Sequence, residues 1–212
     1  MNPIDVLRQR RSIRKFKNKE IPWDNIVSMI HSAVNAPVAG NIANIKYILI
    51  REPSAKKEVS KACLDQAWLT TAPLLIAITG EPEQQKRYYG SRGEKLFTIQ
   101  NAAAAAMNII TAAEFLGLGS CWVGSFNEDE LRNVLVIPEH VNIHAIIALG
   151  FPDESPPRPP KPAVNTVVYL EKWWSKRKFP GYGFYSENVV KTAKKAGDAI
   201  KDLSEKLLGK KK

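Results

Sequence analysis

Two cysteines and three histidines are all that this chain of 212 residues offers as soft or imidazole ligands. Cys63 and Cys121 lie far apart in sequence with no metal-ligand spacing around either, which argues against a structural metal and against a disulfide framework. Each reads as a reduced thiol used as a small buried hydrophobe, since neither has a resolving partner nearby. Long apolar runs are also missing. No stretch approaches the roughly 18 uninterrupted apolar residues of a membrane span, and the opening MNPIDVLRQRR lacks the apolar core of a secretory signal. A cytoplasmic location with no membrane partner is the expectation. There is no internal repeat, and no GxGxxG follows a strand-like segment, so a built-in Rossmann domain is not expected.

What is present is an ordinary globular composition, 44% hydrophobic, at a length suited to one domain. The formal net charge of +10 raises nucleic acid as a partner. Its distribution argues otherwise: Lys172, Lys176, Arg177 and Lys178 form one short basic segment and Lys210, Lys211 and Lys212 another. The rest is only mildly basic, no nucleic-acid motif accompanies the charge, and no nucleic-acid partner is expected.

Pro3 behind Asn2 has the arrangement of a first-turn proline after an N-cap, and Ile4 and Leu7 start the apolar face of a first helix. Pro22 opens a second, in which Ile26, Met29, Ile30, Ala33 and Val34 recur at helical spacing until Ala36-Pro37 stops it. Residues 46–51 and 74–79 are short isoleucine-rich runs with the pattern of buried strands, and residues 54–64 between them read as a helix. The alanine-rich segment 96–115 is apolar on most sides and closed by Gly117, which predicts a central buried helix. Residues 120–124 and 141–150 supply two more strands, separated by a helix over 128–135 that Asn127 caps. The fold class expected is α+β, a small central sheet flanked by helices. Beyond Gly150 a proline-rich run to Pro162 excludes helix and central strand. Residues 186–208 return to helix, with an apolar seam of Val189, Ala193, Ala196, Ile200, Leu203 and Leu207 that must be covered.

Arg10, Arg11, Ser12 and Arg14 gather guanidinium forks and one hydroxyl where the first helix ends, a set suited to phosphate oxygens. The alternative is that the arginines complement the helix dipole as solvated surface. Four blocks together narrow the choice: residues 10–16 (RRSIRKF), 36–41 (APVAGN), 117–124 (GLGSCWVG) and 148–152 (ALGFP) followed by the basic proline-rich loop. In their order and spacing they resemble the nitroreductase family over about residues 1–174.

The resemblance implies a nitroreductase-like sandwich in an intertwined homodimer, with FMN as cofactor and NADH or NADPH as diffusible electron donor. It implies that Arg10, Arg11 and Ser12 hold the FMN phosphate and ribityl chain, and that Arg14 lies near the pyrimidine edge of the ring. A cation there stabilises the negative charge that reduction places on N1 and O2. Asn41 matches a polar contact made by the partner subunit, and Pro37, Val38 and Ala39 match the loop around it. Trp122, Val123 and Gly124 match a strand end that lies along the ring and offers a backbone N–H toward N5. Arg158 matches a basic residue that returns to the phosphate, and Gln66 a polar contact before the second strand.

Three departures accompany the match. Ala43, Asn44 and Ile45 stand where the family commonly has glutamine, proline and tryptophan. Pro160 replaces a second basic residue, with Lys161 beside it as a candidate substitute. Gln66 is equally readable as an exposed glutamine. The function expected is an oxidoreductase that passes electrons from NAD(P)H to a flat electron-poor small molecule, a nitroaromatic or quinone, by a ping-pong cycle with no acid–base triad. The alternatives are flavin fragmentation or reductive dehalogenation on the same scaffold, a flavin-binding or electron-storage protein, or a nucleic-acid module using the basic tail. Residues 1–174 are expected to form the FMN-binding domain, and residues 175–212 an arm and amphipathic helix that pack on the partner.

Overall fold

The computed structural model describes residues 3–175, which fall into two compact units divided between Arg158 and Pro159. The expected helix over 186–208, the arm before it and the Asn2 cap lie outside the described residues. In the first unit the chain runs α1 (Pro3–Gln9), α2 (Trp23–Val34), β1 (Ile45–Ile50), α3 (Pro53–Ala62), β2 (Leu74–Gly80), α4 (Pro82–Arg92), α5 (Thr98–Phe115), β3 (Gly119–Val123), α6 (Glu128–Leu135) and β4 (Asn142–Gly150). The strands form one antiparallel sheet in the order β1-β2-β4-β3. Short 3₁₀ turns occupy Ala39–Asn41 and Ala67–Thr71.

The central strands β2 and β4 are apolar over most of their length because both faces of the sheet are covered. Alternate side chains of β2 divide between two cores. Leu75 and Ala77 join Val59 and Ala62 of α3 and Leu131 of α6 on one face. Leu74, Ile76 and Ile78 join Ile26, Met29 and Ala33 of α2 and Ala102, Ala105, Ala106 and Ile109 of α5 on the other. Each fully buried isoleucine or leucine contributes about 1.5–3 kcal/mol, so the sandwich rests on these two layers.

The caps fall where the residues indicate. Asn127 Oδ1 accepts the backbone N–H groups of Asp129 and Glu130 at the start of α6. Helix α5 ends through Gly117 at φ 71°, a left-handed position that costs an L side chain energy, with Leu118 N–H bonded to Ala113 O at 2.8 Å.

The structure departs from expectation at three helices. In α1 Val6 is fully buried while Ile4 and Leu7 are exposed, and in α2 Val34 is exposed. Apolar spacing marks a stripe on a helix but not which edge of it a single chain covers. No element was expected over 81–95, yet α4 is there and passes through one π-turn, Gly93–Phe97, into α5. Helix α4 lacks an apolar face: its buried residues are Pro82 and Gln85. Polar and ring contacts hold it instead, with Gln85 Nε2 donating to Ala39 O at 3.1 Å and Tyr89 meeting Phe97 edge-on at 5.2 Å. By length and composition alone, one 18-residue window within Pro82–Phe115 is apolar enough to cross a membrane. Eight residues of α5 are buried within the fold, the situation of a core helix.

A buried polar network ties the loop before β1 to α5. Asn101 Oδ1 accepts Ala39 N–H at 3.0 Å, and Asn101 Nδ2 donates to Asn44 Oδ1 at 3.0 Å. Asn44 Nδ2 in turn donates to Thr98 Oγ1 at 3.2 Å. The second unit, over its described residues, contains α7 (Val164–Val167) and a ring cluster in which Tyr169 meets Trp173 and Trp174 at 4.8 and 5.8 Å.

Replacing Asn101 by leucine strands Ala39 N–H and Asn44 Oδ1, both taken from water. We expect a loss of about 2–4 kcal/mol in urea unfolding, while Lys61→Ala, which breaks a solvated ion pair with Glu58, leaves the midpoint unchanged. Burial raises the Cys63 thiol from 9.0 to about 11. The unfolded chain therefore ionises first, and the stability contributed by the neutral thiol is complete below pH 9 and lost between pH 9 and about 11. Urea titrations across that range should show less decline in Cys63→Ala than in the parent.

Candidate functional site

The segment Ser12–Lys17 crosses the end of the sheet and fixes the first sequence block there. Ile13 N–H donates to Ser120 O at 2.9 Å, and Phe16 bridges to Pro152. Ile13 and Phe16 turn inward into the core, leaving Ser12, Arg14 and Lys15 outward. The approach is close because residue 119 is glycine: a Cβ there would lie 2.7 Å from Ile13 Cγ1. After β4, Lys17 N–H donates to Phe151 O and Asp153 N–H to Lys15 O, both at 2.9 Å. Glu154 Oε1 accepts the N–H groups of both Arg14 and Lys15. Three of the four blocks thus meet at one place.

Cys121 lies at the centre of this convergence. Burial pushes its thiol up, opposed by the Arg14 guanidinium, by a hydrogen bond with the Ser12 side chain and by Arg10, while Glu154 pushes it further up. Nothing in the sequence marked this small buried residue as the floor beneath the basic groups. Arg11 is disposed differently. Its Nη1 lies 2.7–2.8 Å from the carbonyls of Arg8, Gln9 and Arg10 and caps α1, while its buried Nε has no partner.

On the edge strand β3, the Ser120 carbonyl points away from β4, toward Ile13. Trp122 shares that parity, so its backbone N–H and C=O also face the open edge. Its side chain is partly exposed, and Gly124 follows beside the indole. Val123, by contrast, is buried in the core and pairs with Ile146. Arg158, the last residue of the first unit, is exposed. Lys161 is exposed and belongs to the second unit.

Gln66 begins the turn that precedes β2. Its Nε2 donates to Cys63 O at 2.9 Å and Ser125 O at 3.4 Å, so its amide N–H groups serve the scaffold. The next turn residues carry Trp68, whose ring centroid lies 5.8 Å from the Arg14 guanidinium carbon. Sequence reasoning passed over both Trp68 and Glu154, although each sits within two residues of a position it singled out.

The second block lies elsewhere. Pro37, Val38, Ala39 and Asn41 sit on the loop fastened to Asn101 and Gln85. Arg10 and Arg11 instead act on Glu114, near the other end of α5. Thirteen residues of continuous helix separate Asn101 from Glu114, about 20 Å along the axis. Within one chain, Asn41 does not join the Arg10–Arg14 cluster. The departures at Ala43, Asn44 and Ile45 are absorbed by the scaffold: Asn44 is the buried node of the polar network and Ile45 opens β1.

An Archaeoglobus fulgidus protein, provisionally named NADH dehydrogenase/NAD(P)H nitroreductase, is 30% identical over 155 residues, 71% of this chain and 86% of its own length. The FMN reductase (NADPH) of Bacillus subtilis is 28% identical over 77% of this chain and 72% of its own. The solved structure of the Vibrio harveyi NADPH:FMN oxidoreductase in complex with NAD+ superposes with a TM-score of 0.75, covering 99% of this chain and 91% of that one at 19% identity. The model of the nitroreductase family matches residues 7–68 and 60–151, a span that contains the first three blocks and all but the last residue of the fourth, and the chain belongs to that family.

Proposed function

We propose that the protein is an FMN-dependent oxidoreductase that takes electrons from NADH or NADPH and reduces a flat, electron-poor acceptor of the nitroaromatic or quinone type in a ping-pong cycle. The observation that carries this reading is the convergence of Arg10, Ser12 and Arg14 over the buried Cys121, beside the open edge of β3. The residues present fit FMN on their own chemistry. Arg10 and Ser12 suit a terminal phosphate, and the buried, unpartnered Arg11 Nε requires an acceptor such as a phosphate oxygen. The exposed Arg158 is four residues beyond Glu154 and supplies a further cation. Trp122 presents a backbone N–H off the open strand edge, suited to N5 of the ring. Bound FMN would supply the redox chemistry, and Arg14 would offset the negative charge that two-electron reduction adds to its pyrimidine edge. Names among the relatives, FMN reductase (NADPH) and NADPH:FMN oxidoreductase, point the same way.

The length of α5 supports a dimer. A two-fold partner running antiparallel along this helix would bring its Asn41 loop to the Arg10–Arg14 cluster that the chain's own loop lies too far away to meet. Apolar groups stand ready for such an interface. Ile99, Met107 and Phe115 are exposed at intervals of eight on α5, and Trp23, Val27 and Val34 are exposed on α2. Each flavin would then sit between two subunits.

Purified protein should carry FMN and not FAD, released and identified by mass, and anaerobic NADH or NADPH should bleach its visible absorbance. FAD, or no flavin after incubation with FMN, would exclude the assignment. Arg10→Ala should weaken FMN binding about tenfold or more in a fluorescence titration. Arg158→Ala should weaken it less, because Arg10 stands in the dense network and Arg158 on an exposed proline-rich loop. Sedimentation should give a dimer for the intact chain; a monomer that retains flavin would refute the shared site.

A further inference from the structure

We propose that Trp68 is a positioning residue: its ring holds the Arg14 guanidinium in place, so that the site binds reduced flavin more tightly relative to oxidised flavin. The proposal rests on the reading of the site as an FMN site and deepens it. Arg14 lies on an irregular stretch with its side chain exposed, and a solvated arginine samples many rotamers, losing about 2 kcal/mol of rotamer entropy when it is fixed. A cation that wanders contributes little to a charge appearing at one atom of the ring, because electrostatic stabilisation depends on dipoles and charges already in position.

Two contacts remove that freedom. The backbone is fixed by Glu154, which accepts both the Arg14 and Lys15 N–H groups, and by the buried side chains of Ile13 and Phe16 on either side. The side chain is fixed by Trp68, whose negative ring face lies 5.8 Å from the guanidinium carbon. Among the described residues no ion pair joins Arg14 to a carboxylate. Glu154 is occupied with backbone N–H groups, so the Arg14 charge is held without being neutralised by a direct pair.

The platform is itself rigid. Trp68 lies on the turn Ala67–Thr71 beside the fully buried Leu69. Thr71 Oγ1 donates to Trp68 O at 2.7 Å, and Leu69 N–H to Gln66 O at 2.9 Å. Gln66 O also accepts Ser60 Oγ at 2.9 Å, while Lys56 Nζ, almost fully buried, donates to Ala72 O at 2.8 Å. These bonds anchor both ends of the turn to α3. An indole presented from such a turn restricts a planar guanidinium in a way it would not restrict an ammonium group, which is a compact, strongly hydrated point charge. This accounts for Arg14 and Trp68 occurring together, and it gives the bonds made by Gln66 a purpose in the site without requiring that Gln66 touch the flavin.

The test uses the full-length protein loaded with FMN, with Trp68→Leu and Trp68→Phe as variants. Two quantities are read: affinity for oxidised FMN by fluorescence, and the midpoint potential by anaerobic titration against a redox dye. Trp68→Leu should bind oxidised FMN within about threefold of the parent and reduced FMN about tenfold more weakly relative to it, which lowers a two-electron midpoint by about 30 mV. Trp68→Phe, which keeps a ring on the turn, should show a smaller shift of the same sign and carries the test alone if the leucine variant does not fold. In an Arg14→Gln background the Trp68 substitutions should have no further effect on the midpoint. An unchanged midpoint in either Trp68 variant, or the same shift without Arg14, overturns the proposal while leaving the FMN assignment intact. Failure of the unaltered protein to bind FMN overturns both.

Discussion

The candidate site hangs from the hydrogen bond between Ile13 N–H and Ser120 O. It is the point at which an irregular N-terminal segment is stitched to the edge of the sheet. Ile13 fits there because Gly119 presents no side chain, and the bond sets the parity of everything around it. With Ile13 and Phe16 turned inward, Ser12 and Arg14 turn outward. With Ser120 O directed at the segment, the backbone of Trp122 faces the same open edge. A larger residue at 119 would press on a β-branched neighbour that has little rotamer freedom to yield, and the basic groups would shift as a set.

A second constraint is the length of α5. It is buried on the side that meets the sheet by alanines and isoleucines, which keep the helix close to β2 and β4, and it carries a different functional block at each end. The Asn101 network at one end and the Arg10–Glu114 neighbourhood at the other are about 20 Å apart along the helix. Small side chains allow close packing, and the length separates the two halves of the site. The proposed dimer resolves this by using each helix to link one subunit's basic cluster to the loop it offers its partner.

The sandwich was legible because its signals are strong and local. The isoleucine-rich run of β2 marks a strand covered on both faces, whereas the similar run of β1 forms an edge strand in which only Ile50 is buried; Gly117 and Asn127 sit at helix ends where their chemistry is required, and the proline-rich run rules out regular structure. Helix α4 was not legible because Gln85 and ring contacts hold it in place of an apolar stripe. The inward turn of Val6, with Ile4 and Leu7 outward, depends on what the other edges of α1 face, which spacing does not encode. At the site, the arginine block was visible as charge density, but charge density does not say which arginine caps the helix; the Arg11 Nη1 contacts to three carbonyls do. Trp68 and Glu154 were invisible for a different reason. Their roles come from approach across the fold to Arg14, 54 and 140 residues away in sequence, and neither residue type is unusual where it stands.

The electrostatics of the cluster follow from how its two nearby carboxylates are used. Glu154 directs Oε1 at backbone N–H groups, so its negative charge is partly spent on holding Arg14 and Lys15 in place. Burial holds the Glu114 carboxyl above its usual range, while Arg10 and Arg11 pull it down. Arg11 directs Nη1 at carbonyl oxygens, which are dipoles and not anions, and so retains its formal charge. The cluster therefore keeps a net positive field at a surface where water competes for it, and a site of that kind is stabilised most by a ligand bringing both a permanent anion and a ring that becomes negative on reduction. On the proposed reading, phosphate binding and redox tuning would both arise from the same uncompensated cations, arranged by one crossing of the chain over β3.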